Sequence, residues 1–164
     1  SHYFWVGTDF SRIRHPYRKG TEMSKKFLII EARFYHDILD ALVDGAIQQL
    51  ALNKLEYERL EVPGALEIPA AVAMAAHTGS YAGFIALGCV IRGETSHYDT
   101  VSNESARGLM QLSCERHLAI GNGIITVETK EQAWARARIS DKDKGGAAAL
   151  AAIKMHSIKE RYIK

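Results

Sequence analysis

Residues 84–99, FIALGCVIRGETSHYD, set the architecture of this chain. The first half is apolar and predicts a buried strand, which ends at Arg92-Gly93. A loop of polar and hydroxyl residues then leads past His97 into a helical pattern. Open α/β folds place their chemistry at such strand-to-helix junctions. The new helix offers N–H groups to an anion, and a histidine can transfer a proton near neutral pH. The junction therefore predicts an anion site beside an acid–base residue.

The composition fits a single globular domain. The chain has 164 residues, of which 47% are hydrophobic and 24% charged, so it can bury a core of its own. A net charge of +2 gives no reason to expect a nucleic-acid partner. No apolar run approaches the ~18 residues of a membrane span, and no signal-peptide pattern begins the chain, so we expect a cytoplasmic protein without a membrane partner. We expect the two cysteines, Cys89 and Cys114, to be reduced and buried, without a disulfide framework or a metal site.

The first 22 residues differ from the rest of the chain. They mix aromatic residues with arginine and lysine and keep no regular period, whereas Met23 resembles a natural start. We therefore divide the chain into an N-terminal arm, residues 1–22, and a single domain, residues 23–164. The arm is either poorly ordered or a strand that extends the sheet of a neighbouring subunit, for which residues 2–6 have the aromatic content.

Strand and helix patterns alternate from residue 27 onwards. Apolar runs predict strands at residues 27–31, 57–62, 83–90 and 123–127, and a helical pattern follows each of them. This order predicts an α/β fold with a four-stranded parallel sheet and helices on both faces. Because ligands of such folds bind beyond the carboxyl ends of the strands, we expect the functional residues in the four loops that follow the strands.

Two of these loops carry candidates for binding a flat, hydroxylated ligand. In the first loop, Phe34 could stack on a heterocyclic ring, or it could pack on its own helix. In the second loop, Ala65 and Leu66 precede Glu67. That carboxylate could accept hydrogen bonds from a polyhydroxyl chain, or it could only favour the dipole of the next helix.

The other two loops carry candidates for binding an anion. Thr95 and Ser96 resemble an N-cap pair, and their helix would offer N–H groups to a phosphate near His97. Arg136 lies among alanines and is a candidate phosphate clamp, whereas the charges at residues 138–144 are typical of a solvated surface. The chain has neither the glycine-rich dinucleotide motif nor the P-loop motif, which argues against a nucleotide site of those kinds.

Several motifs together resemble the lumazine synthase family. The most specific are VPGALEIP at residues 62–69 and GCVIRGETSHYD at residues 88–99; EARF, VSNE and DKGG also keep the family's order. The resemblance covers about residues 26–155 and implies a flavodoxin-like three-layer α/β sandwich. It also implies a homo-pentamer, or a higher assembly of pentamers, with active sites between neighbouring subunits.

The resemblance further implies a reaction. The family condenses 5-amino-6-ribitylamino-uracil with 3,4-dihydroxy-2-butanone 4-phosphate to 6,7-dimethyl-8-ribityllumazine, the penultimate step of riboflavin biosynthesis. No cofactor and no metal are expected, and riboflavin synthase is the downstream partner.

Site residues are implied position by position. His97 would transfer the proton, and Arg136 of the adjacent subunit would neutralise the phosphate. The ring and ribityl site would comprise Phe34, Ala65, Leu66, Glu67, Cys89, Val90, Ile91 and Asn122. Glu94 and Thr95 would also approach the phosphate, and Lys144 would lie next to the pocket.

Three features depart from the family pattern. Asn122 stands just before the predicted fourth strand, where many members have an aromatic residue that covers the ring. Tyr35 replaces a common Asn, and the loop at residues 140–143 is unusually charged, which leaves shell formation open. The alternatives are a ring-binding module without turnover, a structural shell protein and an FMN-binding flavodoxin-like domain. His97 and Arg136 favour the enzyme over the first of these, and the lack of a phosphate cradle in the first loop argues against the last.

Overall fold

The computed structural model describes residues 4–6 and 25–163 of the chain. A short 3-10 turn at Ala65–Glu67 follows the third strand. The strands and helices in chain order are β1 (Phe4–Val6), β2 (Lys26–Ala32), α1 (His36–Leu52), β3 (Tyr57–Val62), α2 (Ile68–Ala76), β4 (Tyr81–Ile91), α3 (His97–Arg116), β5 (Ile120–Val127), α4 (Lys130–Ala137) and α5 (Lys144–Tyr162).

The strands form one sheet in the order β1-β3-β2-β4-β5. Strands β2 to β5 are parallel, which confirms the predicted α/β fold with its four-stranded parallel sheet. Strand β1 runs antiparallel to β3 of the same chain, with Phe4 opposite Leu60. Part of the N-terminal arm therefore does extend the sheet, although here it is the chain's own sheet. Its pairing with a neighbouring subunit stays a prediction, and the rest of the arm lies outside the described residues.

Two helical layers cover the sheet because successive strand residues point to opposite faces. On one face, Ile29 and Ile85 pack with helices α1, α4 and α5. On the other face, Ile30 packs with α2 and α3, among them Val72 and Leu109. The central strands are buried on both faces, so they read as continuous apolar runs in the sequence. None of the described helices is both long and apolar enough to cross a membrane.

Helix α5 lies unusually close to its neighbours, and glycines permit this. A Cβ on Gly145 would lie 1.9 Å from the carbonyl oxygen of Leu42 in α1, and a Cβ on Gly121 would lie 1.8 Å from that of Ala148. The Asp143 carboxylate accepts a hydrogen bond from the N–H of Gly146 at 3.1 Å and caps the helix. The DKGG motif thus caps α5 and lets it pack closely against α1, while Gly121 allows its close approach to the sheet.

Two sequence predictions were wrong. Cys114 is exposed, whereas Cys89 is buried as expected, and both thiols are free. Helix α3 buries the stripe that contains Val101 and Leu109, and Cys114, five residues beyond Leu109, falls off that stripe. Strand β5 begins three residues earlier than predicted, at Ile120, so Asn122 lies within the strand and not before it.

Candidate active site

A cleft of about 460 Å³ opens at the carboxyl ends of β2, β3 and β4. This is where the parallel sheet predicts a ligand site. The lining residues are Ala32, Phe34, Tyr35, Pro63, Gly64, Ala65, Leu66, Glu67, Cys89, Val90, Ile91, His97 and Val101. Every predicted ring and ribityl residue except Asn122 therefore lines one cleft, together with His97.

Phe34 stands out at the rim of this cleft. Its side chain is 78% exposed, and its ring meets the ring of Tyr35 edge-on, with 4.9 Å between centroids. The ring is therefore mostly uncovered, its aromatic contact is with the N-cap residue of α1, and its stacking role stays a prediction. An exposed aromatic face at the mouth of a cleft can accept a flat ring by stacking.

The second loop places Leu66 and Glu67 in the lining of the same cleft. Leu66 is 40% exposed, and the backbone N–H of Glu67 donates to the carbonyl oxygen of Gly64 at 3.1 Å. The Glu67 side chain makes no capping hydrogen bond to α2. Its carboxylate lies near Gly64, where an added Cβ would be 3.1 Å from Oε1. The carboxylate is exposed and can accept hydrogen bonds from hydroxyl groups.

Cys89 forms part of the apolar wall. Burial raises the pKa of its thiol to about 12 because the thiolate would lose its hydration. The thiol is therefore neutral at physiological pH. Cys89 can line a ring pocket but is not poised as a nucleophile.

His97 is the first residue of α3 and lies at the strand-to-helix junction, exposed to the cleft. Its backbone N–H donates to Oγ1 of Thr95 at 3.3 Å. The predicted N-cap pair is only half right, because Ser96 holds the N-cap position but its side-chain oxygen accepts no capping hydrogen bond. Its φ of −72° and ψ of 1° lie outside the extended region that a capping side chain normally needs.

Arg92 connects this junction to the end of the neighbouring strand. Its Nε donates to Glu128 at 3.0 Å, and a terminal nitrogen lies 3.6 Å from the Asp99 carboxylate. The hydrogen bond to Glu128 raises the pKa of Arg92. The guanidinium also lies 4.3 Å from the ring centroid of Tyr98. These contacts hold the end of β4, the end of β5 and the first turn of α3 together.

Five predicted site residues do not line the cleft of a single chain. Glu94 and Thr95 are exposed in the loop before α3. Asn122 is exposed on β5, where its side-chain oxygen accepts from the N–H of Ile124 at 2.9 Å. Arg136 lies on α4 and donates to the carbonyl oxygen of Gln132 at 3.2 Å. Lys144 is exposed at the start of α5.

Sequence reasoning missed one lining residue in particular. Val101 lies on the buried stripe of α3 and also lines the cleft. Its position one helical turn after His97 is the signal that could have identified it, since residues four apart share a helix face. Within residues 4–6 and 25–163, no three His, Cys, Asp or Glu side chains are grouped in a way that could hold a metal ion.

Comparisons with known proteins decide the family. The profile of 6,7-dimethyl-8-ribityllumazine synthase matches residues 24–160. The chain belongs to the lumazine synthase family. A Rhizobium meliloti member named 6,7-dimethyl-8-ribityllumazine synthase 1 is 58% identical over 139 residues, which cover 82% of this chain and 91% of that protein. A Bartonella tribocorum lumazine synthase is 56% identical over 144 residues, covering 86% and 95%. A lumazine synthase 1 of Rhodopseudomonas palustris is 54% identical over 157 residues, covering 92% and 96%.

Membership confirms the resemblance seen in the sequence, and the match spans the whole sheet from β2 to β5 together with most of α5. The cleft therefore lies wholly within the part of the chain that the lumazine synthase profile covers.

Proposed function

We propose that this chain is a transferase that condenses 5-amino-6-ribitylamino-uracil with 3,4-dihydroxy-2-butanone 4-phosphate to 6,7-dimethyl-8-ribityllumazine, with release of phosphate and water. The observation that carries the proposal is the cleft itself. This chain belongs to the family, and its Phe34, Glu67 and His97 line one cleft at the carboxyl ends of the strands. A stacking face, a hydroxyl acceptor and a proton carrier are the groups that these two substrates need.

The ring and the ribityl chain occupy different walls of the cleft in this proposal. Phe34 stacks on the pyrimidine, and the apolar segment Cys89–Ile91 flanks its edge. Glu67 accepts hydrogen bonds from ribityl hydroxyls, while Leu66 covers the chain. The exposure of Phe34 and Leu66 supports this arrangement, because both apolar groups would be covered by substrate.

The phosphate binds next to the N-terminus of α3, near Glu94 and Thr95 in the loop that precedes the helix. Helix N-termini offer N–H groups to anions. Arg136 of an adjacent subunit supplies the positive charge, since Arg136 does not line the cleft of its own chain. Asn122 and Lys144 of that neighbour lie next to the same pocket, and this placement requires the pentamer that we propose.

The chemistry then proceeds in four steps. The 5-amino group attacks the ketone and loses water to give an imine. Removal of the proton from C3, next to the imine carbon, expels phosphate from C4 and leaves an enol. The enol gains a proton at C4 and loses its hydroxyl proton, which gives a ketone with a new methyl group. The ribityl-bearing nitrogen attacks that ketone, and loss of a second water closes the ring. His97 carries the protons, and Arg136 stabilises the leaving phosphate.

The location and the next enzyme follow from this reaction. We propose that the protein works in the cytoplasm, where small phosphorylated metabolites are formed. Its lumazine product passes to riboflavin synthase.

Activity measurements on the purified chain test the proposal. The two substrates together should give the lumazine, which is followed by its absorbance. Arg136→Ala should raise KM for the butanone phosphate with little effect on KM for the pyrimidine. The matched control is Arg138→Ala, whose guanidinium already lies 4.9 Å from the ring centroid of Trp134. If the unaltered protein showed no turnover, the proposed enzyme activity would be wrong, and the alternative of a ring-binding module without turnover would be favoured.

Co-expression tests the shared site. Subunits with His97→Ala lack the proton carrier, and subunits with Arg136→Ala lack the clamp. If adjacent subunits build each site, mixed assemblies contain some sites with both groups intact and exceed the activity of either variant alone. Mixed assemblies that only average the two activities would place both residues in one subunit's site.

A further inference from the structure

A buried carboxylate lies directly beneath the loop that carries Phe34. The side chain of Glu31, at the end of β2, is 3% exposed. Its two oxygens accept hydrogen bonds from Nε and a terminal nitrogen of Arg59, at 2.6 and 2.8 Å, and from Arg33 at 2.7 Å. The hydrogen bond to Glu31 raises the pKa of Arg59. A buried charge needs such partners to offset its lost hydration, so Glu31 is a fixed anchor point.

Arg33 uses this anchor to span the whole loop. Its side chain is 12% exposed and donates to three acceptors on two elements. They are the Glu31 carboxylate on β2, the carbonyl oxygen of His36 at 3.2 Å and the Asp40 carboxylate on α1. Arg33 therefore fastens the strand before the loop to the helix after it, and Phe34 and Tyr35 are the only residues between Arg33 and α1.

Among the described residues, the Phe34 side chain itself has little packing. The side chain is 78% exposed, and the ring of Tyr35 meets it in an edge contact within the part of the chain that the structure describes. Side-chain capping does not stabilise the start of α1 next to Phe34, since Tyr35 at the N-cap makes no side-chain capping hydrogen bond. The orientation of the Phe34 ring thus depends on the backbone, and Arg33 holds that backbone at both ends.

We propose that Arg33, held by Glu31 and Asp40, is a positioning residue that fixes the Phe34 loop before the pyrimidine substrate arrives. The inference rests on the proposed stacking role of Phe34. A preordered loop spares the substrate the entropy of ordering it on binding. Loss of the anchor therefore weakens binding of the ring and leaves the phosphate side of the cleft unaffected.

Two variants weaken the anchor and still leave the buried Glu31 carboxylate with a positively charged partner. Asp40→Asn removes the partner that is 62% exposed, where the cost to folding is small. Arg33→Lys keeps the positive charge but lacks the planar fork that reaches three acceptors. Asp44→Asn is the matched control, because Asp44 lies one turn further along α1, is exposed and forms no ion pair within the described part of the chain.

Steady-state kinetics for both substrates and the melting temperature form the readout. Asp40→Asn and Arg33→Lys should raise KM for the ribitylamino-uracil by about two- to tenfold, the range expected for one side chain ordered on binding. KM for the butanone phosphate should stay within about twofold, and Asp44→Asn should match the unaltered protein. The Kd of the lumazine product, followed by fluorescence, should rise in parallel.

The decisive comparison repeats both variants in a Phe34→Ala background. If the anchor acts through Phe34, its loss has no further effect on KM once the ring is gone. Equal effects in both backgrounds, or a lower melting temperature with unchanged KM, would overturn the inference and leave a network that serves only the fold. If Phe34→Ala alone left KM unchanged, the stacking role in the proposed function would fail as well.

Discussion

The buried thiol of Cys89 makes the stability of this protein sensitive to alkaline pH. A thiol normally ionises near pH 9.0, whereas burial raises the pKa of Cys89 in the folded chain to about 12. Between these values the unfolded chain releases a proton that the folded chain keeps. Stabilisation from the neutral thiol is therefore complete below pH 9 and is lost as the pH rises towards 12. The slope is at most about 1.4 kcal/mol per pH unit, or roughly 2–3 kcal/mol between pH 9 and 11.

Equilibrium unfolding in urea measures this loss. The series runs from pH 8 to pH 11 at one protein concentration, because assembly would otherwise change the apparent stability. Two proteins are compared, one that keeps Cys89 and one with Cys89→Ala, and both carry Cys114→Ser. Burial also raises the pKa of Tyr57 and Tyr81, but both tyrosines are present in each protein, so their contribution cancels in the difference.

The expected result is convergence of the two stability curves. At pH 8 the alanine variant should be less stable by about 1–2 kcal/mol, since it loses buried side-chain volume. With rising pH the protein that keeps Cys89 should lose stability faster, and the gap should close. Parallel curves to pH 11 would refute the reasoning. So would fast reaction of native Cys89 with a thiol reagent at pH 8, because a reactive thiolate would reopen a nucleophilic role.

Two further predictions concern the proton carrier and the backbone contacts of α5. His97→Ala should lower kcat by about 10²-fold, the lower end of general acid–base effects, because holding the two substrates together supplies much of the rate. Full turnover in this variant would remove the role assigned to His97. The control is His77→Ala, which changes an exposed histidine after α2. Gly121→Ala should destabilise the fold by about 3 kcal/mol or more, because the new Cβ would lie 1.8 Å from a backbone oxygen of α5. Gly88→Ala on the neighbouring strand meets side chains only at 3.6 Å and should cost less than about 1 kcal/mol; equal shifts of the urea midpoint for the two glycine variants would contradict the contact argument.

The sheet was predictable because its central strands are buried on both faces. Strand β4 reads as one apolar run, and the predicted strand at residues 57–62 coincides with β3. The start of β5 was not predicted, since Gly121 and Asn122 interrupt the apolar pattern before the predicted start at Gly123. Those glycines are there for close packing: a Cβ on Gly123 would lie 2.6 Å from the Leu87 side chain. A pattern of hydrophobicity cannot signal a residue that is chosen for its small size.

The site was predictable only in part, for a different physical reason. Loop position and residue type identified Phe34 and His97 as candidates, since parallel strands bring their carboxyl ends together. The ion-pair network of Glu31 could not be found in this way, because a charged residue within an apolar run gives no sign of its partner 28 residues away. Arg136 was a candidate from its sequence context and Asn122 from the family resemblance alone, and neither lines the cleft of one chain.

The distribution of charge gives a physical argument for a shared site. The arginines near the cleft are already engaged by carboxylates: Arg33 by Glu31 and Asp40, and Arg92 by Glu128 and Asp99. A leaving phosphate needs a cation that is not already neutralised, because a paired guanidinium offers little net charge to a second anion. Within the described residues, Arg136 forms no ion pair and donates only to a backbone carbonyl of its own helix. Its charge is therefore free to meet an anion, which supports the shared site that we propose, since Arg136 does not line the cleft of its own chain.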